Sequence, residues 1–594
     1  MPPKRPASSS SSASSAKKVK AEVKEDVNKL PDLMEDTPLA KLFEAQKELA
    51  KTKAPVVEEG KDGVVVYWMR NKDLRLRDNR ALALASEYAS SLSLPLIILH
   101  IFSPSDYAAH DRSPRRIDFH LRALRLIQTA AAKLDIPLFS VTWSDRTEIE
   151  GNLAHLLGEW KATHLVANLE YEVDELRRDE KILRGVMKAR KEGEGWKGEA
   201  HFVADFCVVN PGLVLTQQGK PYSVFSPWYK NWAASVAKDL QGTLGDAGGA
   251  VQNHKDARTH AVLQPIFEHK LPSHIEGYKL EEEDQKTMEH LWPAGQDICD
   301  QVMHRFLKTK MRPQAFQEPP LHPGAEEVAL KASKIGVYGT GRNAVDMDGT
   351  SHISAYLATG MISPRECLRA TMKLTGGKLD TDKSGGGVGV WVSEVAWRDF
   401  YQHVLCAWPR VCMGRPFNLK FDDIVWQQSD EHLQAWKDGK TGFPIVDAAM
   451  RALKAQGYMH NRCRMITAMF LTKDLLLDWR LGEKWFMQNL IDGDLGSNNG
   501  GWQWSASVGT DPQPYFRVFN PTSQSEKSDT SGDYIRHWVP ELKHLKGKAI
   551  HDPSAKLSKK ELAKIGYPSP IVDHAKSRIR AIARYKNPGD DVDE

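Results

Sequence analysis

IDGDLGSNNGGWQWSASVGTDPQPYFRVFNP, residues 491–521, combines three features in one short stretch. Two carboxylates flank Gly493, two asparagines follow, and Trp502 and Trp504 stand one residue apart. Glycine lets a backbone come close to a ligand, Asp and Asn supply hydrogen-bonding groups, and indoles supply flat stacking surface. The combination suits a large planar heterocycle with a polar tail. The alternative is a glycine-rich surface loop beside two core tryptophans, and this stretch alone does not decide between them.

Length and composition indicate an intracellular protein with more than one domain. A chain of 594 residues is long enough for two or more domains. Its six cysteines form no CxxC pair and no spacing suited to zinc, so we expect a reducing compartment and no metal site. No apolar run approaches the ~20 residues that span a bilayer. The formal net charge is +4, so a nucleic-acid partner would need a local basic patch.

Residues 1–20, MPPKRPASSSSSASSAKKVK, form a low-complexity tail with five cations and no acids. Such a segment has too little apolar surface to fold. Its two basic clusters, separated by a short spacer, resemble a bipartite nuclear localisation signal. Its acid-free, Ser-rich composition also resembles a mitochondrial presequence. The prolines favour the nucleus, with the mitochondrion left open, and we interpret residues 1–60 as a disordered targeting tail and linker.

Hydrophobic patterning predicts an α/β domain followed by an all-α domain. Residues 94–101 (LPLIILHI) read as a strand buried on both faces. Strands alternate with amphipathic helices across 61–200, which predicts a doubly wound parallel sheet. Across 201–324 the periodicity weakens, which predicts a long connector crossing the surface. From 325 to 594 the pattern is helical.

The segment GTGRNA, residues 339–344, fits the G-x-G-x-x-G/A dinucleotide fingerprint. That fingerprint needs a preceding strand and an acid about twenty residues further on. Here it lies outside the α/β segment, and Asp346 and Asp348 follow too soon. We therefore do not expect a Rossmann-type nucleotide site in this chain.

The segment WVSEVAWRDFY, residues 391–401, carries polar and aromatic side chains at helical spacing. Trp391, Glu394 and Arg398 recur at i, i+3 and i+7 on one helix face. These residues could line a polar-aromatic cavity. The alternative is a core-facing tryptophan helix with a solvated Glu/Arg pair.

Several long motifs in one order resemble the DNA photolyase/cryptochrome family. They are WMRNKDLRLRDN (68–79), GTSHISAYLATGMISPRE (349–366), EVAWRDFYQHVL (394–405), TGFPIVDAAMRAL (441–453), MHNRCRMITAMFLTKDLLLDW (459–479) and the stretch at 491–521. The similarity runs from Val64 to about Tyr585. Within the family the chain is similar to the class I cyclobutane pyrimidine dimer photolyases, of a fungal type with an N-terminal extension.

The resemblance implies FAD as the cofactor, with FADH⁻ as the active form, inside the helical domain. Asn498 matches the residue that faces flavin N5. The positions that match the family's cofactor contacts are Tyr338, Thr350, Ser351, His352, Ile353, Ser354, Trp391, Glu394, Arg398, Arg464, Asp492, Gly493, Asp494 and Asn498.

The resemblance also implies an electron relay and a lesion-binding surface. Trp426, Trp479 and Trp502 match the tryptophans that carry electrons to the flavin during photoreduction, with core packing as the alternative. Glu394 matches the residue that bonds the base edge. Asn461 and Met465 match dimer repair, since (6-4) photolyases carry histidines around this helix start. The full set of DNA-facing and dimer-facing positions is Arg342, Glu394, Trp397, Asn461, Arg462, Met465, Trp504 and Arg517.

Four positions match the antenna site of folate-binding photolyases: His110, Asp174, Glu175 and Cys412. Many folate binders have Asn where this chain has Asp174. The resemblance favours 5,10-methenyltetrahydrofolate, with 8-hydroxy-5-deazaflavin as the alternative.

Together these features predict a monomeric, light-dependent enzyme that repairs cyclobutane pyrimidine dimers in UV-damaged DNA, with no membrane partner. The alternative is a cryptochrome-type photoreceptor that signals through protein partners. Cryptochromes usually carry an extended C-terminal tail, whereas here only a short acidic segment follows Tyr585. That difference favours repair.

Overall fold

A computed structural model describes residues 37–53 and 63–589. Five parallel strands form a sheet in the order β3-β2-β1-β4-β5. All residues of the central strand are buried, because helices cover both faces of the sheet. The predicted doubly wound α/β fold is confirmed. The strands are β1 (Val64–Met69), β2 (Leu96–Phe102), β3 (Leu138–Thr142), β4 (Ala162–Asn168) and β5 (Glu199–Val203).

The two faces of the sheet belong to different hydrophobic cores. Tyr67 packs with the core that continues into the helical part of the chain, where it includes Tyr356 and Trp391. Trp68, the next residue, points to the opposite core. The helical part therefore packs on one face of the sheet. The helices between the strands are α2 (Arg80–Ser91), α3 (Pro104–Ala109), α4 (Pro114–Ala132), α5 (Ile149–Glu159) and α6 (Val173–Glu192).

Helix α1 (Pro38–Lys51) corrects the prediction that residues 1–60 form only a disordered tail and linker. It buries an apolar stripe, consisting of Leu39, Leu42, Phe43, Ala45 and Leu49, in the core that contains Trp68. Charged residues alternate with this stripe and obscure it in the sequence. The two basic clusters of residues 1–20 lie outside the described residues.

Helix α1 is held against the outer edge of the sheet. The side-chain oxygen of Gln46 accepts a hydrogen bond from the backbone N–H of Phe202 in β5, at 3.2 Å. At the other end of the helix, the Arg190 guanidinium donates to the carbonyl oxygens of Leu49 and Thr52. A guanidinium at a helix C-terminus also interacts favourably with the helix dipole.

The prediction that residues 201–324 cross the surface as a connector is wrong for much of that range. Trp228 and Trp232 are almost completely buried, and Trp232 Nε1 donates to Asp399 at 3.1 Å. Buried indoles of this kind belong to the core. The helices here are α7 (Phe225–Lys238), α8 (Leu240–Leu244), α9 (Glu282–Leu291) and α10 (Gln296–Lys308).

The remainder of the chain is helical, as predicted. A five-residue π-helix, Phe470–Asp474, separates two of its α-helices. Within the described ranges, none of the helices is long and apolar enough to span a bilayer. The helices are α11 (Tyr338–Gly341), α12 (Ser354–Thr359), α13 (Pro364–Met372), α14 (Val388–Ala407), α15 (Asp430–Asp438), α16 (Pro444–Gln456), α17 (Asn461–Met469), α18 (Trp479–Asn489), α19 (Leu495–Ser505), α20 (Pro521–Ser528), α21 (Asp533–Trp538), α22 (Lys559–Lys564) and α23 (His574–Lys586).

Candidate active site

A cavity in the helical part is lined by most of the predicted cofactor-binding residues. Its empty volume is about 1010 Å³, including the mouth that opens to solvent. Ile353, Trp391, Glu394 and Arg398 are predicted residues that do not line it. The predicted residues that do are Tyr338, Thr350, Ser351, His352, Ser354, Arg464, Asp492, Gly493, Asp494 and Asn498.

Asp492 joins three of the elements that form the cavity wall. Its carboxylate accepts a hydrogen bond from Ser354 Oγ at 2.7 Å and another from Arg464 Nη2 at 2.7 Å. These contacts tie the turn before α19 to α12 and α17. Two residues later, Asp494 caps α19 by accepting from the backbone N–H of Ser497 at 3.0 Å. The carboxylates of Asp492 and Asp494 therefore fix the walls of the cavity.

Lys72, which the sequence did not single out, contacts the same site from the α/β part. Its ammonium lies 3.2 Å from Asp494 Oδ1 and also pairs with Glu172. Burial raises the pKa of the Asp494 carboxyl, but Lys72 and Arg398 outweigh it and hold that pKa well below its usual range. Lys72 follows the end of β1, where residues of parallel sheets often meet a ligand site.

The polar groups around the cavity fit a planar heterocycle with a charged tail. Arg398 Nη1 donates to the carbonyl of Phe206 at 2.6 Å, whereas its buried Nη2 has no hydrogen-bond partner among the described residues. A Cβ added at Gly501, which lines the cavity, would meet nothing within 4 Å. His352 adopts φ of 53°, a left-handed conformation that is uncommon for a non-glycine residue and typical of functional sites. These observations suit FAD.

Two predicted lesion-binding residues, Asn461 and Met465, line this same cavity. They lie one turn apart on α17, with Asn461 Nδ2 3.9 Å from Met465 Sδ. Trp504 is half-buried on α19, and Arg517 is exposed in the following loop.

The remaining predicted lesion-binding residues contact one another or elements the sequence did not suggest. Arg342 pairs with Glu394. The Trp397 indole stacks on Phe225 of α7, with ring centroids 3.7 Å apart and planes inclined by 8°. Phe225 was missed because it belongs to the segment read as a connector. Arg462 donates to the side chain of Asn343.

Glu394 occupies an unusual electrostatic environment. Burial raises the pKa of its carboxyl, although Arg342 pairs with it and Lys383 lies near. Its side chain nevertheless keeps 33% of its surface exposed. The carboxyl is therefore partly desolvated and still reachable by a ligand.

The three predicted relay tryptophans belong to one hydrophobic core, in which Trp479 and Trp502 are buried and Trp426 is partly buried. The Trp502 ring packs directly over Gly482 in α18, the helix that begins at Trp479. A Cβ at Gly482 would lie 2.0 Å from that ring, so only glycine fits there. Trp436, which the sequence did not indicate, lies 6.1 Å from Trp502 between ring centroids.

The four predicted antenna residues meet at the carboxyl ends of the strands. His110 Nδ1 lies 3.5 Å from Glu175, and Nε2 lies 3.8 Å from Asp174. Cys412, from the helical part, bonds the backbone N–H of Val173. Burial raises the pKa of the Glu175 carboxyl to about 7, although the nearby His110 lowers it. The sequence missed Arg146, whose Nη1 lies 3.0 Å from Asp174.

Part of this cluster brings together three residues of the types that bind metal ions. Asp106, His110 and Glu175 each place a ligand atom within 4.8 Å of the others. The sequence predicted no metal site, because Cys and His spacing gave no signal for this carboxylate-rich group.

Comparison with known proteins places the chain in a family. Residues 65–244 match the family described as DNA photolyase, and residues 391–587 match the FAD binding domain of DNA photolyase. Among solved structures, a bacterial class III photolyase from Agrobacterium tumefaciens is 30% identical, with a TM-score of 0.69; the alignment covers 90% of this chain and 99% of that one. A photolyase from Sulfolobus tokodaii, solved with two FAD molecules, is 25% identical, with a TM-score of 0.60, over 88% and 99% of the two chains.

Relatives in sequence are named deoxyribodipyrimidine photo-lyase. The deoxyribodipyrimidine photo-lyase of Neurospora crassa is 43% identical over 543 residues, which cover 88% of this chain and 81% of that protein. The Escherichia coli enzyme of the same name is 38% identical, over 88% and 98% of the two chains. The mitochondrial deoxyribodipyrimidine photo-lyase of Saccharomyces cerevisiae is 34% identical, over 88% and 86%. On this evidence the chain belongs to the DNA photolyase family.

Proposed function

We propose that this protein is a deoxyribodipyrimidine photo-lyase, which uses light to repair cyclobutane pyrimidine dimers in UV-damaged DNA. The observation that carries the proposal is a shared cavity: Asn461 and Met465 line the same space as the residues that match the family's FAD contacts. Lesion and cofactor would therefore meet in one site. The names of the Neurospora crassa and Escherichia coli relatives support the same activity.

The cavity residues would hold FAD by polar contacts that the fold has already oriented. The chemistry supplied by the bound cofactor in its reduced form is electron donation to the dimer on excitation by light. Arg398 lies behind this lining, and its charge helps to hold the pKa of the Asp494 carboxyl in the cavity wall below its usual range. The Asn498 amide, which lines the cavity, is fixed by donation to the carbonyl of Glu483 at 3.0 Å.

The lesion would enter as a flipped-out dinucleotide. A dimer stacks poorly with its neighbours, so flipping it out of the duplex costs less than flipping a normal pair. The indoles of Trp397 and Trp504 would clamp it by stacking, and Phe225 holds Trp397 in place from behind. Glu394 would exchange Arg342 for the base edge, which releases Arg342 to contact a phosphate.

We further propose that Trp426, Trp479 and Trp502 form the relay that reduces the cofactor in light. Their placement in one core supports this role. When the oxidised protein is illuminated with an external reductant, the absorbance of oxidised flavin should fall. Replacement of one of these tryptophans by Phe should abolish that change.

For the antenna we propose 5,10-methenyltetrahydrofolate, held by His110, Glu175 and Cys412. The alternative remains 8-hydroxy-5-deazaflavin, and the second FAD of the Sulfolobus tokodaii protein offers another class of molecule. The absorbance spectrum of the purified protein, with the released chromophore identified by mass, distinguishes them.

The protein is proposed to act in the nucleus as a monomer. Two basic clusters in residues 1–20 support nuclear import. The mitochondrial name of the Saccharomyces cerevisiae relative supports the mitochondrion as a second destination. Imaging of the full chain with a C-terminal fluorescent label, with and without residues 1–20, would separate the two.

The direct test measures dimer content in UV-irradiated oligothymidine incubated with the reduced protein, in light and in darkness. Loss of dimers only in light is the expected result. No loss, with FAD bound and fully reduced, would overturn the proposed repair activity and favour the photoreceptor alternative.

A further inference from the structure

A strongly basic surface covers residues 543–564, outside the cavity described above. All of its lysines are exposed. The two acids in the same segment, Asp552 and Glu561, accept hydrogen bonds as helix caps or within a capping box. The lysines, called here the lysine surface, are Lys543, Lys546, Lys548, Lys556, Lys559, Lys560 and Lys564.

The segment carries seven lysines against two acids, so its positive charge is only partly compensated. Among the described residues, its single ion pair joins Lys548 Nζ to Glu526 at 3.9 Å, and the Lys548 side chain is still 90% exposed. Like charges crowded on one surface repel each other unless counterions or a polyanion neutralise them. The charge therefore has a cost to the isolated protein that a binding partner would remove.

The lysines are brought together by short elements that pack in sequence. The 3₁₀ turns Gly547–Ile550 and Pro553–Ala555 contact each other, and α22 contacts the second of them. His551 Nδ1 lies 2.7 Å from Ser525 Oγ on α20, which fixes the segment to the helical part. The segment that carries the lysines is thus held in place against the helical part.

Helix α20 connects the lysine surface to the DNA-facing residues. It starts four residues after Arg517, and the carbonyl of Ser528 at its other end accepts from the backbone N–H of Val345 at 2.8 Å. Val345 lies three residues beyond Arg342.

We propose that the lysine surface binds the phosphate backbone of duplex DNA that flanks the lesion. The inference rests on the proposed repair function, because that function places DNA across Arg342 and Arg517. Lysine ammonium groups bind phosphates as point charges without reading bases. The surface therefore extends the DNA footprint and adds affinity that is independent of sequence and of the lesion itself.

The test compares the salt dependence of binding on two duplexes that share one central dimer, of about 12 and about 30 base pairs. The variant is Lys556→Ala/Lys559→Ala/Lys560→Ala in the full chain. If three phosphate contacts are lost, the magnitude of the slope of log K against log salt falls by about 2.7. The factor by which affinity drops between roughly 50 and 200 mM salt then becomes ~40-fold smaller. We expect this change on the long duplex alone. The control is Lys181→Ala/Lys188→Ala, at exposed lysines on α6.

Unchanged slopes on the long duplex would overturn the proposal. The proposal would also fail if the slopes on the long and short duplexes differed only after removal of the acidic residues 590–594. That result would mean that the chain's own C-terminus occupies the lysine surface. Light-driven repair of the short duplex reports on the proposed function separately. If repair is absent but the variant still lowers the slope on a long undamaged duplex, the lysine surface stands and the repair function fails.

Discussion

Glu394 contacts Arg342 in the structure, yet the proposed mechanism assigns it to the base edge of the dimer. Replacing Glu394 with Ala removes a charge-assisted hydrogen bond of about 1.5–3 kcal/mol. We expect the repair yield to fall roughly tenfold or more, while DNA affinity changes little because Arg342 becomes free to contact a phosphate. Repair yield and binding are measured on the same dimer duplex. Glu394→Gln, which keeps hydrogen-bonding capacity, serves as the control; an unchanged yield in Glu394→Ala would remove the proposed role.

Trp502 is buried, and its Nε1 has no hydrogen-bond partner among the described residues. Trp502→Phe therefore removes the redox-active indole without leaving another group unpaired. We expect photoreduction of the bound flavin to slow by more than tenfold, with repair by chemically reduced enzyme preserved. Trp538→Phe is the matched control, since that indole is also buried with an unpartnered Nε1. Loss of repair in the prereduced Trp502→Phe protein would contradict the relay assignment.

Individual residues differ in how far the sequence could identify them. Asn461 and Met465 were predicted from a long motif, and they line the cavity. Lys72, Phe225 and Arg146 were not, because each reaches its site from a distant part of the chain. A single lysine or phenylalanine in such a position reads as an ordinary surface or core residue until the fold supplies its partners.

Helix α19 leaves one position of the cavity wall open, at Gly501. Gly501→Leu would place a side chain in that space, so we expect FAD content to fall at least several-fold in a folded protein. The ratio of flavin to protein absorbance measures it, and far-UV circular dichroism reports the fold. Gly185→Leu is the control, since Gly185 also lies in a helix with nothing within 4 Å of a Cβ, but away from the cavity. Full FAD content in Gly501→Leu would show that the cofactor lies elsewhere.

Elements with strong periodicity were predicted well, and those with mixed composition were not. The run at 94–101 corresponds to β2, because a strand buried on both faces has to be apolar throughout. Helix α1 was missed because its buried stripe alternates with Lys and Glu residues. Helix α7 was missed because glycines and prolines on either side hid a short aromatic helix.

Lys72 joins the two parts of the molecule through Glu172 and Asp494. Lys72→Met would remove the cation in direct contact with both buried carboxylates, and breaking such a buried pair costs about 3–5 kcal/mol. We expect a matching loss in the free energy of unfolding measured with urea. Lys72→Met/Glu172→Gln should recover part of it. Lys286→Met breaks an exposed ion pair and should change stability by about 0–1 kcal/mol; a similar small effect of Lys72→Met would contradict the importance of the buried pair.

The free energy of unfolding of the whole molecule should also depend on pH, because two histidines are buried as a pair. His100 Nδ1 donates to the carbonyl of Met69 at 2.9 Å, so its Nε2 accepts from His120 Nε2 at 3.2 Å, and both rings are neutral. Burial lowers the pKa of His100 to about 4, and burial with the neighbouring ring lowers the pKa of His120.

Because the unfolded chain titrates near pH ~6.5 at these positions, it binds more protons than the folded protein between that pH and the depressed values. The contribution of these two histidines to stability is therefore constant above about pH 6.5 and falls as the pH drops from 6.5 toward 4. Urea midpoints measured across this range check the sign. His100→Gln/His120→Leu should flatten this part of the curve, and an unaltered pH dependence would assign it to other groups.

Helix α1 also sets a limit on proteolytic maturation. The backbone N–H of Phe202 lies on the outer edge of the sheet, and Gln46 occupies it. An uncovered edge strand can pair with a strand of another molecule and start aggregation. Removal of a targeting peptide that stops before Thr37 keeps this cover in place. Cleavage beyond Thr52 strips it away, so an enzyme that removes a targeting peptide would have to cut upstream of the helix to leave a protein that stays dispersed.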